Sequence, residues 1–188
     1  FAGGASTASE AVSVDFDGAT DGDALVVEDF PNFETEDFTV ECWIYPHTVS
    51  GGIDTIMDNY QNSSATGAWW ALHQNDDGFY WGRNNANPIS TSGNLEAHQW
   101  YHVAITHDGG SSYGAVKLYI DGVDRSSNSN NGTTWNKWVG DLSGLNNMEL
   151  GRINYDNSAN AYFGGIIDDV GIWNRVLTAT EINKLVNN

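Results

Sequence analysis

Near the end of the 188-residue chain, Phe163-Gly-Gly-Ile-Ile-Asp-Asp-Val-Gly-Ile-Trp-Asn-Arg175 carries apolar residues on both parities of an extended strand. Ile166, Val170 and Ile172 share one parity; Ile167 and Trp173 share the other. A strand that is apolar on both sides must be covered on both, which places it in the middle of stacked sheets. Two adjacent aspartates interrupt it. A buried carboxylate is costly unless a counter-charge, hydrogen bonds or a metal ion neutralises it. A chain with this segment is expected to be layered β-structure in which something compensates Asp168 and Asp169.

The rest of the chain reads the same way. Val12 to Phe16 alternates, and Ala24 to Val27 is apolar. From Phe38 to Pro46 the alternation is clean, with Phe38, Val40, Cys42 and Ile44 on one side and Thr39, Glu41, Trp43 and Tyr45 on the other. Pro46 ends the run because it has no N–H for a ladder. Further strands are expected at Ile53–Asp58, Ala68–Gln74, Phe79–Arg83, Trp100–Asp108, Ala115–Ile120 and Asn147–Arg152. Thr178-Ala-Thr-Glu181 is a capping box, so a short helix is expected from Ala179 to Leu185, with Ile182, Leu185 and Val186 as its apolar stripe. Residues 1–9 are mostly Gly, Ala, Ser and Thr and read as a linker remnant. Residues 10–188 read as one domain, within the size of a single β-sandwich. The chain begins at Phe1, so it is expected to be a piece of a longer secreted or surface protein, covalently linked to other domains.

Charge narrows the partners. Seven Lys and Arg stand against 25 Asp and Glu, a net charge of −18. Nucleic acid is excluded as a partner, because its binding needs cations on phosphate. No run suits insertion into a membrane. A single cysteine, Cys42, rules out an internal disulfide and falls on the core parity. His98, His102 and His107 lack the spacing of a zinc site. The turn Asp17-Gly-Ala-Thr-Asp-Gly-Asp23 offers hard oxygen ligands for calcium, although taken alone it reads first as an ordinary acidic hairpin turn.

Three blocks carry a family resemblance. Phe38-Thr-Val-Glu-Cys-Trp-Ile-Tyr-Pro46, Trp100-Tyr-His-Val-Ala-Ile-Thr-His-Asp-Gly109 with Val116-Lys-Leu-Tyr-Ile-Asp-Gly122, and Gly164 to Ile182 resemble laminin-G-like domains of the concanavalin A-like lectin/glucanase superfamily. The resemblance implies an all-β fold: a two-sheet antiparallel jelly-roll β-sandwich with a short C-terminal helix. It also implies a structural calcium between an N-terminal acidic loop and the closing strand, with Asp17, Asp21, Asp23, Asp168 and Asp169 as candidate ligands. Trp100 and Trp173 would then be core positions. Hydrolases on this jelly roll carry a Glu-x-Asp-x-x-Glu strand. Glu36 and Glu41 have its outer spacing, but Phe38 stands in the middle position, so the paired carboxylates needed for glycoside hydrolysis are missing.

A binding role is therefore expected. A three-residue loop at Asp76-Asp77-Gly78 would pair Asn75 with Phe79 and His73 with Trp81. Trp69, His73, Trp81 and Arg83 would then share the outer side of a sheet. Aromatic rings stack on sugar rings, and His and Arg donate to hydroxyls. Tyr60, Trp135 and Trp138 lie in polar loops that can reach a sheet rim. The expectation is a non-catalytic, extracellular carbohydrate-binding module that takes a poly- or oligosaccharide. The alternative is an adhesion or spacer domain with a protein partner, and behind it a jelly-roll lyase or hydrolase using His73 with Tyr60 or Tyr80.

Overall fold

In the computed structural model, the structure describes residues 13–19, 24–27, 37–49, 54–58, 71–75, 78–83, 86–90, 95–109, 116–126, 148–155 and 158–187. Among the described residues, fourteen strands and one helix run in the order β1 (Val14–Asp17), β2 (Leu25–Val27), β3 (Asp37–Pro46), β4 (Asp54–Asp58), β5 (Ala71–Asn75), β6 (Gly78–Arg83), β7 (Ala86–Ser90), β8 (Tyr101–Asp108), β9 (Val116–Ile120), β10 (Val123–Asp124), β11 (Met148–Leu150), β12 (Ile153–Tyr155), β13 (Ser158–Asn160), β14 (Gly164–Trp173) and α1 (Ala179–Val186). They form two six-stranded sheets and a small hairpin. Sheet A has the order β1-β14-β3-β8-β9-β10, and sheet B the order β2-β11-β4-β5-β6-β7. Every ladder between these strands is antiparallel.

The core lies between the sheets, as the alternation of β3 requires. Phe38, Val40, Cys42 and Ile44 are buried and meet Ile56, Met57, Leu72, Phe79, Met148 and Leu150 from sheet B. Each such side chain contributes about 1.5–3 kcal/mol on full burial. Phe79 of sheet B meets Tyr101 of sheet A edge to face at 6.2 Å. Cys42 is fully buried; burial first, and the charge of Glu41 second, push its thiol well above the ordinary range. The strands ending each sheet are short, or in β7 contain Pro88, which blunts pairing with another chain.

The closing strand differs from its sequence reading. β14 sits between β1 and β3, but a bulge falls between Asp168 and Gly171. Ile167 pairs with Ile44 and Ile172 with Val40, so six residues of β14 span five of β3. The extra residue inverts the parity beyond it: Ile167 and Ile172 both pack on the core, and Val170 is exposed. Asp169 makes the bulge with φ 47°, and its N–H donates to Asp168 Oδ1 at 2.8 Å. Short Asp side chains tolerate this left-handed geometry because they bond the local backbone. Asp168 is half-buried and Asp169 exposed, so the expected buried charge pair is absent there.

A second difference lies outside sheet A. Thr39, Glu41, His102 and Thr106, all on its outer side, are buried. The chain after β14 covers them. Leu177 and Ile182 pack with Ala104 and Tyr119, and Trp173 and Leu185 flank them. The Thr39 hydroxyl ties this cover down, donating to Arg175 O and accepting from Leu177 N–H, both at 2.9 Å. Trp173 is thus half-buried in a secondary cluster, whereas Trp100 is 43% exposed and not a core residue.

The helix forms as its capping box requires. Glu181 N–H donates to Thr178 Oγ1, and Thr178 N–H donates to Glu181 Oε2. Arg175 adds a bidentate pair to the same carboxylate, at 2.7 and 3.1 Å. These donors, the Arg175 guanidinium foremost, hold the Glu181 carboxyl down to about 2 from an ordinary 4.5. The folded value is the lower one. The contribution of this carboxylate to stability is therefore present above about pH 4.5 and lost as pH falls through about 2. Glu181→Gln should destabilise the protein near neutral pH and make little difference at about pH 2. Equal differences at both pH values, by urea unfolding, would refute this. Thr178→Ala should cost about 1 kcal/mol through loss of the cap.

Candidate functional site

The five aspartates expected to hold calcium divide into two groups. Asp21 and Asp23 lie outside the described residues. Asp17 ends β1, is exposed, pairs with Gly164, and its Oδ1 accepts from Ala19 N–H at 2.8 Å. Gly18 follows at φ 71°, with its backbone against Gly164, where a side chain would not fit. The acidic turn thus starts at the beginning of β14. Asp168 and Asp169 lie four and five residues further along, about 13 Å or more of strand. Asp17 therefore does not converge with them, and the described residues do not fit one ion held by all three. Among the described residues no group of three or more His, Cys, Asp or Glu is placed to hold a metal.

The aromatic candidates also divide. Tyr60, Trp69, Trp135 and Trp138 lie outside the described residues. The β5–β6 hairpin has two residues in its loop rather than three, pairing Asn75 with Gly78 and Leu72 with Trp81. Leu72 belongs to the core, so Trp81 occupies a core-parity position. His73 pairs with Tyr80 on the opposite parity. His73 and Trp81 therefore do not share a side of the sheet, as the three-residue loop would have had it. Arg83 pairs with Ala86 beyond an irregularity in the β6–β7 ladder.

The register builds a different outer side for sheet B. One row runs Val26, Glu149, Asp58, Ala71, Gly82 across five strands. The next runs Thr55, His73, Tyr80, Ser90 across four. Asp58 and Glu149 are directly opposed and buried. Opposed like charges repel, with Cβ atoms about 4.5–5.5 Å apart. Arg152 Nε donates to Glu149 Oε2 at 2.6 Å. The two rows thus place the buried Asp58, Glu149 and Thr55 in line with His73, Tyr80 and Ser90 and with Ala and Gly positions that add little bulk. Asp58, Glu149 and Arg152 were not singled out from sequence, although each carboxylate neighbours a core-parity residue, Met57 or Leu150, and so falls on the outer parity.

Glu41 has another use. Its Oε2 accepts from His102 Nε2 at 2.9 Å, and both side chains are buried. His102 also meets Trp43 edge to face at 5.3 Å. A methyl group at Gly171 would overlap Glu41 Oε1 and the Trp173 ring, so these two side chains fill the space over Gly171 on the outer side of the sheet. Glu41 is buried and bonded to His102, and cannot reach a substrate. His102 Nδ1 has no hydrogen-bond partner among the described residues.

A family model described as the concanavalin A-like lectin/glucanases superfamily (Laminin_G_3) matches residues 17–183. No curated protein sequence matches significantly. Among solved structures, the chain is similar to the CBM40 of a Ruminococcus gnavus IT-sialidase bound to α2,3-sialyllactose, with a TM-score of 0.70 and 14% identity over 95% of this chain and 97% of that one. It is also similar to domain 4 of AbnA, a GH43 extracellular arabinanase from Geobacillus stearothermophilus, in complex with arabinotriose (TM-score 0.59, 22% identity, 91% and 80% covered). A third similar structure is the heptameric SAP-like pentraxin of Limulus polyphemus (TM-score 0.63, 18% identity, 93% and 81% covered). At these identities the likeness is one of fold. No helix among the described residues is long and apolar enough to cross a membrane.

The buried Glu41–His102 pair generates a stability test. Removing one partner strands the other, so His102→Ala should cost about 3–5 kcal/mol in urea unfolding. Restoring most of that loss with a second change, Glu41→Leu, is the expected result; a cost below about 1 kcal/mol for His102→Ala would show that the pair does not hold the outer layer.

Proposed function

Because this chain belongs to the concanavalin A-like lectin/glucanase superfamily, by a match covering most of its length, we propose that it is a non-catalytic carbohydrate-binding module. The observation that carries the reading is the outer side of sheet B. There His73 and Tyr80 stand in one row and the low-bulk positions Ala71 and Gly82 in the next, the latter in line with the buried Asp58 and Glu149. Two structural neighbours hold saccharides, sialyllactose in one and arabinotriose in the other, which supports a glycan as the ligand class. Tyr60 follows β4 closely in sequence and Trp69 closely precedes β5, so both belong to connections of this sheet. In the proposal Tyr60, Trp69, Trp135 and Trp138 supply stacking rings, and His73 donates to hydroxyls. Trp81 and Arg83, both at core-parity positions of β6, are not assigned to the ligand.

The module works outside the cell as part of a longer protein and brings its neighbours to a polysaccharide. It holds a glycan without turning it over. Glu41 is buried and bonded to His102, and Phe38 breaks the hydrolase pattern. Calcium enters the proposal as a scaffold ion of the acidic turn, with Asp17, Asp21 and Asp23 as its carboxylates. Asp168 and Asp169 shape the bulge instead.

Affinity electrophoresis and a glycan array test the binding. Trp69→Ala and Trp135→Ala are each expected to weaken retention about tenfold, or ~1.4 kcal/mol, with Tm unchanged. No retention of any glycan by the wild-type chain would sink the module reading and favour a spacer with a protein partner. Release of soluble product would make it an enzyme. For the ion, adding calcium to chelator-treated protein at about 100 Kd should stabilise it by ~2.7 kcal/mol and raise Tm by about 5–10 °C. Asp168→Asn should leave that rise intact. An unchanged Tm would remove calcium from the account.

A further inference from the structure

The cover on the outer side of sheet A is partial. The segment after β14 packs over the β3 end that holds Thr39 and Glu41. At the other end of β3, aromatic rings and imidazoles converge at the surface. Tyr45 lies with its ring centroid 5.4 Å from Trp100, 6.1 Å from His98 and 6.1 Å from His47. His47 and His98 are 6.3 Å apart with planes 31° from parallel. Trp100 is 43% exposed, the His47 side chain 37%, and His98 is also exposed. Asp15 of β1, 66% exposed, reaches His47 Nε2 at 3.7 Å. Trp43 continues the aromatic stripe inward along β3, half-buried against His102.

The cluster is held in place by backbone. His47 N–H donates to Gly164 O and His98 N–H donates to Pro46 O, both at 2.8 Å. His98 sits at φ 63°, a region that non-glycine residues seldom occupy. Strained backbone of this kind persists where the surroundings fix it, and such positions concentrate at binding sites. Trp100 is outside both hydrophobic clusters, so the core does not account for its position.

We propose that Trp100 and Tyr45, flanked by His47, His98 and Asp15, form a second saccharide site on sheet A, selective for uncharged sugars. The apolar C–H face of a pyranose or furanose ring lies against Trp100 and Tyr45. Imidazole nitrogens donate to or accept from its hydroxyls, and the Asp15 carboxylate accepts. Selectivity follows from charge. Asp15 and Glu96, both exposed, are acidic, the chain carries −18, and none of the rings is accompanied by a described Lys or Arg contact. A carboxylated or sulfated sugar is repelled there, while a neutral one is not. With sheet B engaged as proposed above, the module is bivalent, and two weak sites on one polysaccharide reinforce each other.

The test uses affinity electrophoresis of the full chain in gels of neutral xylan, arabinan, galactomannan or mixed-linkage β-glucan. Trp100→Ala is expected to reduce retardation at least tenfold on one or more of these, with Tm unchanged, and Trp100→Phe to restore part of it. In a Trp69→Ala/His73→Ala background, residual retardation should persist and vanish when Trp100→Ala is added. Wild-type retardation by all four polysaccharides in Trp100→Ala overturns the sheet A site and leaves sheet B standing. Loss with Trp100→Ala but none with Trp69→Ala/His73→Ala upholds the sheet A site and moves the main site away from sheet B. A wild-type chain retarded by none of the four overturns the sheet A site, and the glycan array then decides separately whether sheet B takes a charged sugar.

Discussion

The ladder between β3 and β14 is the constraint on which the other parts depend. These are the two longest strands, ten residues each, and they meet in the middle of sheet A. Glu41 stands opposite Gly171 in this ladder and turns its carboxylate to His102 on the outer side of the sheet. A side chain at position 171 would collide with that carboxylate. Glycine at 171, just past the bulge opened by Asp168 and Asp169, leaves that space to Glu41 and the Trp173 ring. A polar pair that would be costly if exposed to a low-dielectric interior without partners is thereby kept bonded and covered. The chain that leaves β14 then seals the same region through Thr39, Leu177 and Ile182.

That arrangement determines which surfaces are left for ligands. The outer side of sheet A is closed at the Glu41 end and open at the Tyr45 end, so rings gather where the cover stops. The outer side of sheet B has a different chemistry, with the opposed carboxylates Asp58 and Glu149 buried in it. Both sides are carried by long-range ladders, and residues next to the strands complete them. One chain therefore presents two faces of contrasting character from a single sandwich.

Where the strands run was readable from the residues to a large extent. The parity of Phe38, Val40, Cys42 and Ile44 located the core side of β3, and Thr178 with Glu181 located the helix. The candidate sites were less readable. The two-residue Asp76-Asp77 loop moved the β5–β6 pairing by one residue, and a shift of one carries every side chain to the opposite side. Trp81 thereby left the expected binding side while His73 kept it. Val170 was misplaced for a related reason, since the bulge inserts one residue and period-two reasoning fails past it. The short β12–β13 hairpin and β7 were not anticipated; their residues lack clean alternation, and Pro88 argues against any strand except one at an edge.

The sequence decided the class of this protein: alternating apolar residues demand two sheets, a single cysteine excludes an internal disulfide, an excess of acid argues against nucleic acid, and a capping box starts a helix. Each of those depends on near neighbours or on whole-chain totals. The tertiary structure alone decided the fate of the charges and rings. Glu41 found His102 61 residues away, Tyr45 found Trp100, and Asp58 came to face Glu149. Those meetings follow from strand register and sheet order, which are set by hydrogen bonds between distant segments and leave no periodic trace in the chain.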